Sequence, residues 1–227
     1  MLAFDIETLG INKHMDKITV ISLYDPEANI ARVLRFIDLN EDGDVVYCDK
    51  YLDTVKELVG YLDNAKHLCA FNGISFDIPF IQIQFKISNE KVQSWVLKTY
   101  DILETCRRGF GRTFKLDTVL ALNGVGNGKT GSGLKAVEQA KAGDFDELCK
   151  YCLDDSRLTH ELSSLPVIQC PEGYKWRQTH QQRSHDPSRV LKINSTLFPK
   201  LSFSYGPLST DGVKKCEGSV LGKRLEL

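Results

Sequence analysis

Three apolar, β-branched runs open this chain, and an amphipathic helical pattern separates them from a fourth. That order leaves few folds open. Residues 2–8 (LAFDIET), 17–25 (KITVISLYD) and 31–38 (ARVLRFID) read as strands, and 41–44 (EDGD) reads as a turn. Residues 51–65 space Leu52, Val55, Leu58, Val59 and Leu62 at helical intervals. Residues 67–73 (HLCAFNG) form an apolar run that stops in Asn-Gly, the pattern of a buried strand ending in a turn. Three consecutive strands can make a meander, and the helical crossover returns the fourth in parallel beside the first. The expected fold is α/β, a mixed β-sheet of a three-strand meander plus parallel strands, with helices on both faces.

Helical patterns dominate from there. Residues 76–87 suit a helix that starts near Asp77, with Pro79 in its first turn where proline is tolerated. Residues 99–111 open as a short strand and continue as helix or loop. Residues 115–125 are helical up to Asn123-Gly124, 126–133 (GNGKTGSG) are a flexible loop, and 133–144 are a helix ended by Gly143. The strongest helix is 145–165, with the stripe Leu148, Cys152, Leu158 and Leu162. After Pro166 both periodicities stop, which divides the chain into a domain at 1–165 and a basic, mostly irregular C-terminal tail at 166–227. The tail holds ten Lys/Arg against five Asp/Glu, so a chain of net charge −1 carries −6 in its body. An acidic body is a poor passive nucleic-acid binder, but it suits acids neutralised by bound cations.

With 227 residues, 42% of them hydrophobic, the chain can bury a core. No apolar run approaches the roughly 20 residues of a membrane span, and the N-terminus lacks the basic-then-apolar order of a secretion signal. The seven scattered cysteines read as reduced thiols. These features imply an intracellular protein that is neither secreted nor membrane-bound.

The first strand contains an anomaly. Asp5 and Glu7 stand at i and i+2 and therefore share one face, where like charges repel unless a cation lies between them. Asp77 sits at a helix start just past the neighbouring strand. Tyr151 and Asp155, at i and i+4, share one face of the last helix. Each has an ordinary alternative: a solvated strand face, a helix cap, an exposed helical acid. Four carboxylates and a phenol from three separate segments are harder to explain singly.

These residues carry a close resemblance. Residues 1–165 resemble the DEDDy group of 3′–5′ exonucleases of the RNase H-like (DnaQ-like) superfamily, similar to the proofreading exonuclease domain of family B DNA polymerases. The matching motifs are D-x-E at Asp5 and Glu7, "FNGISFDIPFI" with Asn72 and Asp77, and Y-x-x-x-D at Tyr151 and Asp155. The resemblance implies an RNase H-like sheet and phosphodiester hydrolysis from a free 3′ end of single-stranded nucleic acid, DNA favoured over RNA. It also implies two Mg²⁺ ions, with Mn²⁺ as a substitute, held by Asp5, Glu7, Asp77 and Asp155. Hard cations take oxygen ligands, and two of them can activate the attacking water and stabilise the leaving oxygen. By the same resemblance Asp5 bridges the ions, Glu7 and Asp155 serve the one beside the attacking water, and Asp77 acts largely through the shell of the other. Tyr151 orients the water. Thr8 and Leu9, together with Asn72 and Phe76, are the expected substrate contacts. The first strand begins at residue 2, so the expectation is a free-standing nuclease, or a fragment whose partner is elsewhere.

Other signals are weaker. Asp154 lies about 100° round the helix from Asp155. In GNGKTGSG the first glycine of a Walker motif would be residue 123, which is Asn, and the G-x-G-x-x-G match follows a helix rather than a strand. Cys149 and Cys152 form a lone CxxC in mid-helix and read as core thiols. Cys170, His180, His185 and Cys216 match no zinc spacing. Arg107, Arg108, Arg112 and Lys115 form a basic cluster suited to a solvated face or a phosphate backbone. The rival reading is the same fold with catalysis lost, kept for gripping nucleic acid or protein. The intact acid set argues against it.

Overall fold

The structure, a computed structural model, describes residues 1–110, 113–126, 133–171 and 190–193. Its main sheet has five strands: β1 (Leu2–Thr8), β2 (Ile18–Asp25), β3 (Ile30–Arg35), β6 (Leu68–Ala70) and β7 (Thr99–Asp101), in the order β3-β2-β1-β6-β7. The meander β1-β2-β3 is antiparallel, while β6 pairs with β1, and β7 with β6, in parallel. The mixed sheet read from the sequence is therefore the observed one.

The alternation of β1 sorts its side chains between two layers. Leu2, Phe4 and Ile6 enter a core with α1 (Tyr51–Asn64), α2 (Asp77–Phe85) and α3 (Asn89–Leu97), which contribute Leu58, Leu62, Ile78, Phe80, Ile81 and Trp95. On the opposite face Ala3 packs with Leu158 and Leu162 of α7 (Phe145–Ser163), and with Ile102 and Cys106 of α4 (Ile102–Phe110) and Val119 of α5 (Leu116–Asn123). A third cluster joins α6 (Gly133–Ala142) to α7 through Ala136, Ala140, Leu148 and Cys152. Each large apolar side chain removed from water contributes about 1.5–3 kcal/mol, so a strand buried on both faces can hold a few polar groups at its end.

Several elements differ from the sequence reading. The third strand stops at Arg35, and the next residues form a two-stranded sheet of β4 (Ile37–Leu39) and β5 (Val45–Tyr47) around the expected turn. The break falls at Phe36, whose fully buried ring packs on Phe85 at 4.8 Å and pins the chain there. The strand expected over 67–73 shortens to three residues because Asn72 takes a left-handed conformation, φ 77°. In α1 the predicted stripe holds except at Leu52, which is 70% exposed in the first turn. The helix α3 was not anticipated. Ser88 caps it, and its Trp95 is fully buried with Nε1 donating to Asp63 Oδ1 at 2.7 Å.

The boundary expected near 165 also falls short of the folded chain. Residues 168–171 form β8 (Ile168–Pro171), which pairs antiparallel with β9 (Val190–Ile193). Ile168 and Cys170 are buried in the second core, where the Cys170 and Cys106 thiols touch at 2.9 Å. The Asn123 side chain donates to Gln169 O and accepts from Gln169 N, both at 2.7 Å, so its amide stitches α5 to β8 as a strand would. The irregular tail is otherwise a reading of residues that lie, like most of the GNGKTGSG loop, outside the described residues.

Candidate metal centre

The parallel pairing of β1 with β6 covers only Leu2 and Ala3, opposite Leu68 and Cys69. Beyond it β6 turns away, leaving the second half of β1 flanked by β2 alone. Asp5 and Glu7 stand in that half, opposite Ser22 and Val20. They lie past the carboxyl ends of the parallel strands, the place where open α/β sheets leave a crevice.

The helix α7 crosses the same face. Ser22 Oγ donates to Cys152 O at 2.7 Å and lies 2.6 Å from Ser156 Oγ, so a small polar seam registers α7 on the strands. The Cys152 thiol stands 3.7 Å from Asp5 Oδ2. One turn of helix later Asp155 is 4% exposed, and one ligand oxygen from each of Asp5, Glu7 and Asp155 falls within 4.8 Å of the others. Among the described residues this is the group of acids and thiols close enough to share an ion. Tyr151, half-buried, lies one turn before Asp155 on α7.

Asp77 completes the acidic group from the other layer. It opens α2 and is 3% exposed. Burial, then the charges of Asp5, Asp101 and Glu7, holds its carboxyl well above the ordinary range. Two layers that meet nowhere else in sequence thus aim four carboxylates into one crevice. Buried like charges are costly, and the donors are all oxygen. This set fits one or two hard divalent cations, which would remove the repulsion that raises Asp77.

The remaining expected residues take distinct places. Thr8 donates through Oγ1 to Gly10 O at 2.5 Å, and Leu9 packs against the third core. The Asn72 backbone lines the turn before α2, and Phe76 stacks on Phe80 with ring centroids 4.9 Å apart. Asp154 points elsewhere and pairs with Arg157 at 2.8 Å. Arg107 and Arg108 both pair with Glu104, while Arg112 lies outside the described residues. Three participants escaped the sequence reading: Ser22, the Cys152 thiol as a neighbour of Asp5, and Asp101. A polar residue inside an apolar strand and the D-x-x-E pattern of Asp101 and Glu104 were the signals available.

The family profile of the RNase H superfamily matches residues 2–165. The chain belongs to the RNase H superfamily. No curated protein matches it. Solved structures similar to this superfamily member include the family B DNA polymerase from the hyperthermophilic archaeon Pyrobaculum calidifontis, at TM-score 0.49 and 18% identity over 71% of this chain and 24% of the polymerase. The apo form of a nuclease aligns at TM-score 0.45 and 19% identity, over 70% of this chain and 68% of its own. Exonuclease I aligns at TM-score 0.39 and 16% identity, over 71% and 42%. The chain spans about a quarter of the polymerase's length. Among the described residues, no helix is long and apolar enough to cross a membrane.

The raised Asp77 carboxyl has a consequence for stability. The folded protein binds this proton more tightly than the unfolded chain, whose carboxyl titrates near 3.8. Metal-free stability therefore falls as pH rises from that value through the folded one, and stays lower above it. Asp77→Asn is expected to remove this descent and to raise metal-free stability at neutral pH by on the order of 1 kcal/mol. Urea titrations in EDTA across pH 4–8 check it; a variant that tracks the wild-type curve would exclude the acid repulsion.

Proposed function

We propose that the protein is a metal-dependent 3′–5′ exonuclease of the DEDDy kind, acting on the free 3′ end of single-stranded nucleic acid, DNA in preference to RNA. The observation that carries this reading is the convergence of Asp5, Glu7 and Asp155 within 4.8 Å on a superfamily fold that also buries Asp77 beside them. A catalytically lapsed module has no physical reason to keep such acids together.

Asp5, Glu7, Asp77 and Asp155 would hold two divalent cations, Mg²⁺ with Mn²⁺ as a substitute. Bound there, such ions supply the polarisation that readies a water for attack on phosphorus and stabilises the departing 3′ oxygen. The strand holds Asp5 and Glu7 at a fixed spacing, which sets the donor geometry without a loop's freedom. The Tyr151 phenol hydrogen-bonds the attacking water and orients it. Thr8 and Leu9, directly after the acids, and Asn72 and Phe76, across the crevice, grip the terminal nucleotide.

The test is digestion of matched DNA and RNA strands, labelled at the 5′ end, with Mg²⁺ or EDTA. A ladder that shortens from the 3′ end in Mg²⁺ and is blocked by EDTA supports the proposal. Metal-independent strand binding without shortening points to the lapsed module instead. Tyr151→Phe is expected to slow hydrolysis about 10²-fold, in the range of general acid–base and orienting groups, and to leave Mn²⁺ binding by calorimetry unchanged.

A further inference from the structure

Asp101 closes β7, is 3% exposed, and belongs to none of the motifs that define the acid cluster. Its carboxylate accepts three backbone N–H groups. Glu104 N donates to Oδ1 at 3.0 Å, which caps the first turn of α4. The other two donors come from a distant segment: Asn72 N to Oδ1 at 3.0 Å and Ile74 N to Oδ2 at 2.9 Å. The turn that contains left-handed Asn72 is thus folded around this carboxylate.

The same turn launches α2. Phe76 N donates to Asn72 O at 3.0 Å, and Ile78 N donates to Gly73 O at 2.8 Å. The amides of Asn72 and Ile74 are held by Asp101, and the carbonyls of Asn72 and Gly73 are held by the residues on either side of Asp77. A helix cap alone needs only the Glu104 contact. Burying an ionisable group on a turn is costly, and the two extra amides, shared between both carboxylate oxygens, tie β7 to the one residue of the acid group that is not on β1 or α7.

We infer that Asp101 is a positioning residue for the metal centre: it fixes the Asn72–Ile74 turn and through it the place of Asp77. The inference rests on the nuclease reading of the acid cluster. Asp101 touches neither ion nor substrate; it acts through the turn.

Asp101→Ser separates the two jobs. A serine hydroxyl still caps α4 through the Glu104 amide but is too short to span to Asn72 and Ile74. Amide hydrogen exchange of the metal-free protein is expected to quicken at least tenfold at Asn72 and Ile74, with Glu104 still protected. Mn²⁺ affinity by calorimetry and kcat on a 5′-labelled single strand are expected to fall 10- to 100-fold, the usual consequence of losing an outer-shell support, with KM within about twofold. Asp101→Asn, which keeps one acceptor oxygen and the shape, should recover part of both, and it replaces the serine variant if that one fails to fold. Ser88→Ala, which strips the cap of α3, controls for simple destabilisation and should keep wild-type Mn²⁺ affinity. Unchanged exchange at Asn72 and Ile74, or wild-type Mn²⁺ affinity in a folded Asp101→Ser protein, overturns the inference. A wild-type protein that neither binds Mn²⁺ nor cuts would overturn the nuclease reading instead, while the exchange pattern still decides whether Asp101 holds the turn.

Discussion

Asp5→Ala is expected to abolish hydrolysis, by about 10³-fold or more, and to leave the protein folded. Asp5 lies centrally in the arrangement: its oxygen lies within 4.8 Å of those of Glu7 and Asp155, and its charge is the largest electrostatic contribution, after burial, to the raised Asp77 carboxyl. Removing it takes away a ligand in reach of every other acid, so a site built for cations loses affinity and geometry together. Removing it also relieves repulsion, so the metal-free variant should melt no lower than wild type. That pairing of lost activity with retained or raised stability distinguishes a functional acid from a structural one. A 5′-labelled digestion assay and a thermal melt in EDTA read both quantities. Wild-type activity in this variant would end the proposed mechanism.

Gly73→Ala should be the most damaging methyl group that can be added near the site. A Cβ on Gly73 would stand 2.4 Å from the Ala70 Cβ, and 3.2 Å from both Asp77 Oδ2 and Phe4 Cζ. None of these can retreat easily. Ala70 sits on β6, Phe4 is fully buried in the first core, and Asp77 is fixed at the start of α2. Overpacking of this kind costs about 1–3 kcal/mol. The turn must move to relieve it, and a displacement near 1 Å can reduce turnover about 10²-fold. Because the clash is with a single methyl, Ala70→Gly in the same chain should restore most of the stability and much of the rate. Urea melts and the digestion assay on both variants check this. A single variant as stable as wild type would show that the turn is looser than the packing implies.

Much of the fold was legible because its hydrophobic periods are strong and local. The strand β1, the stripes of α1 and α7 and the parallel return through α1 follow from residue order alone. The failures sit where a local pattern met a tertiary contact. Phe36 ends β3 because its ring belongs to the main core, and the alternation of 31–38 contains no sign of that. Leu52 fits the stripe of α1 and yet lies in solvent, because nothing packs over the first turn. The segment 168–171 looked like the start of an irregular tail, but Asn123 supplies the hydrogen bonds that order β8 from 46 residues away.

The candidate site divides in the same way. By itself the sequence determined which residues carry the chemistry: Asp5 and Glu7 share a strand face, and Tyr151 and Asp155 share a helix face. Period two and period 3.6 leave no other arrangement once strand and helix are formed. Only the tertiary structure decided that these faces meet. The Ser22–Cys152–Ser156 seam registers α7 on β1 and β2, and the early turn of β6 opens the crevice. The structure also decided the role of Asp101. In sequence it is an ordinary helix-capping aspartate, and its hold on Asn72 and Ile74 exists only because β6 and β7 are parallel neighbours, paired at Ala70 and Asp101. Local periodicity sets the direction of a side chain, whereas its partners depend on long-range packing that no short window of sequence contains.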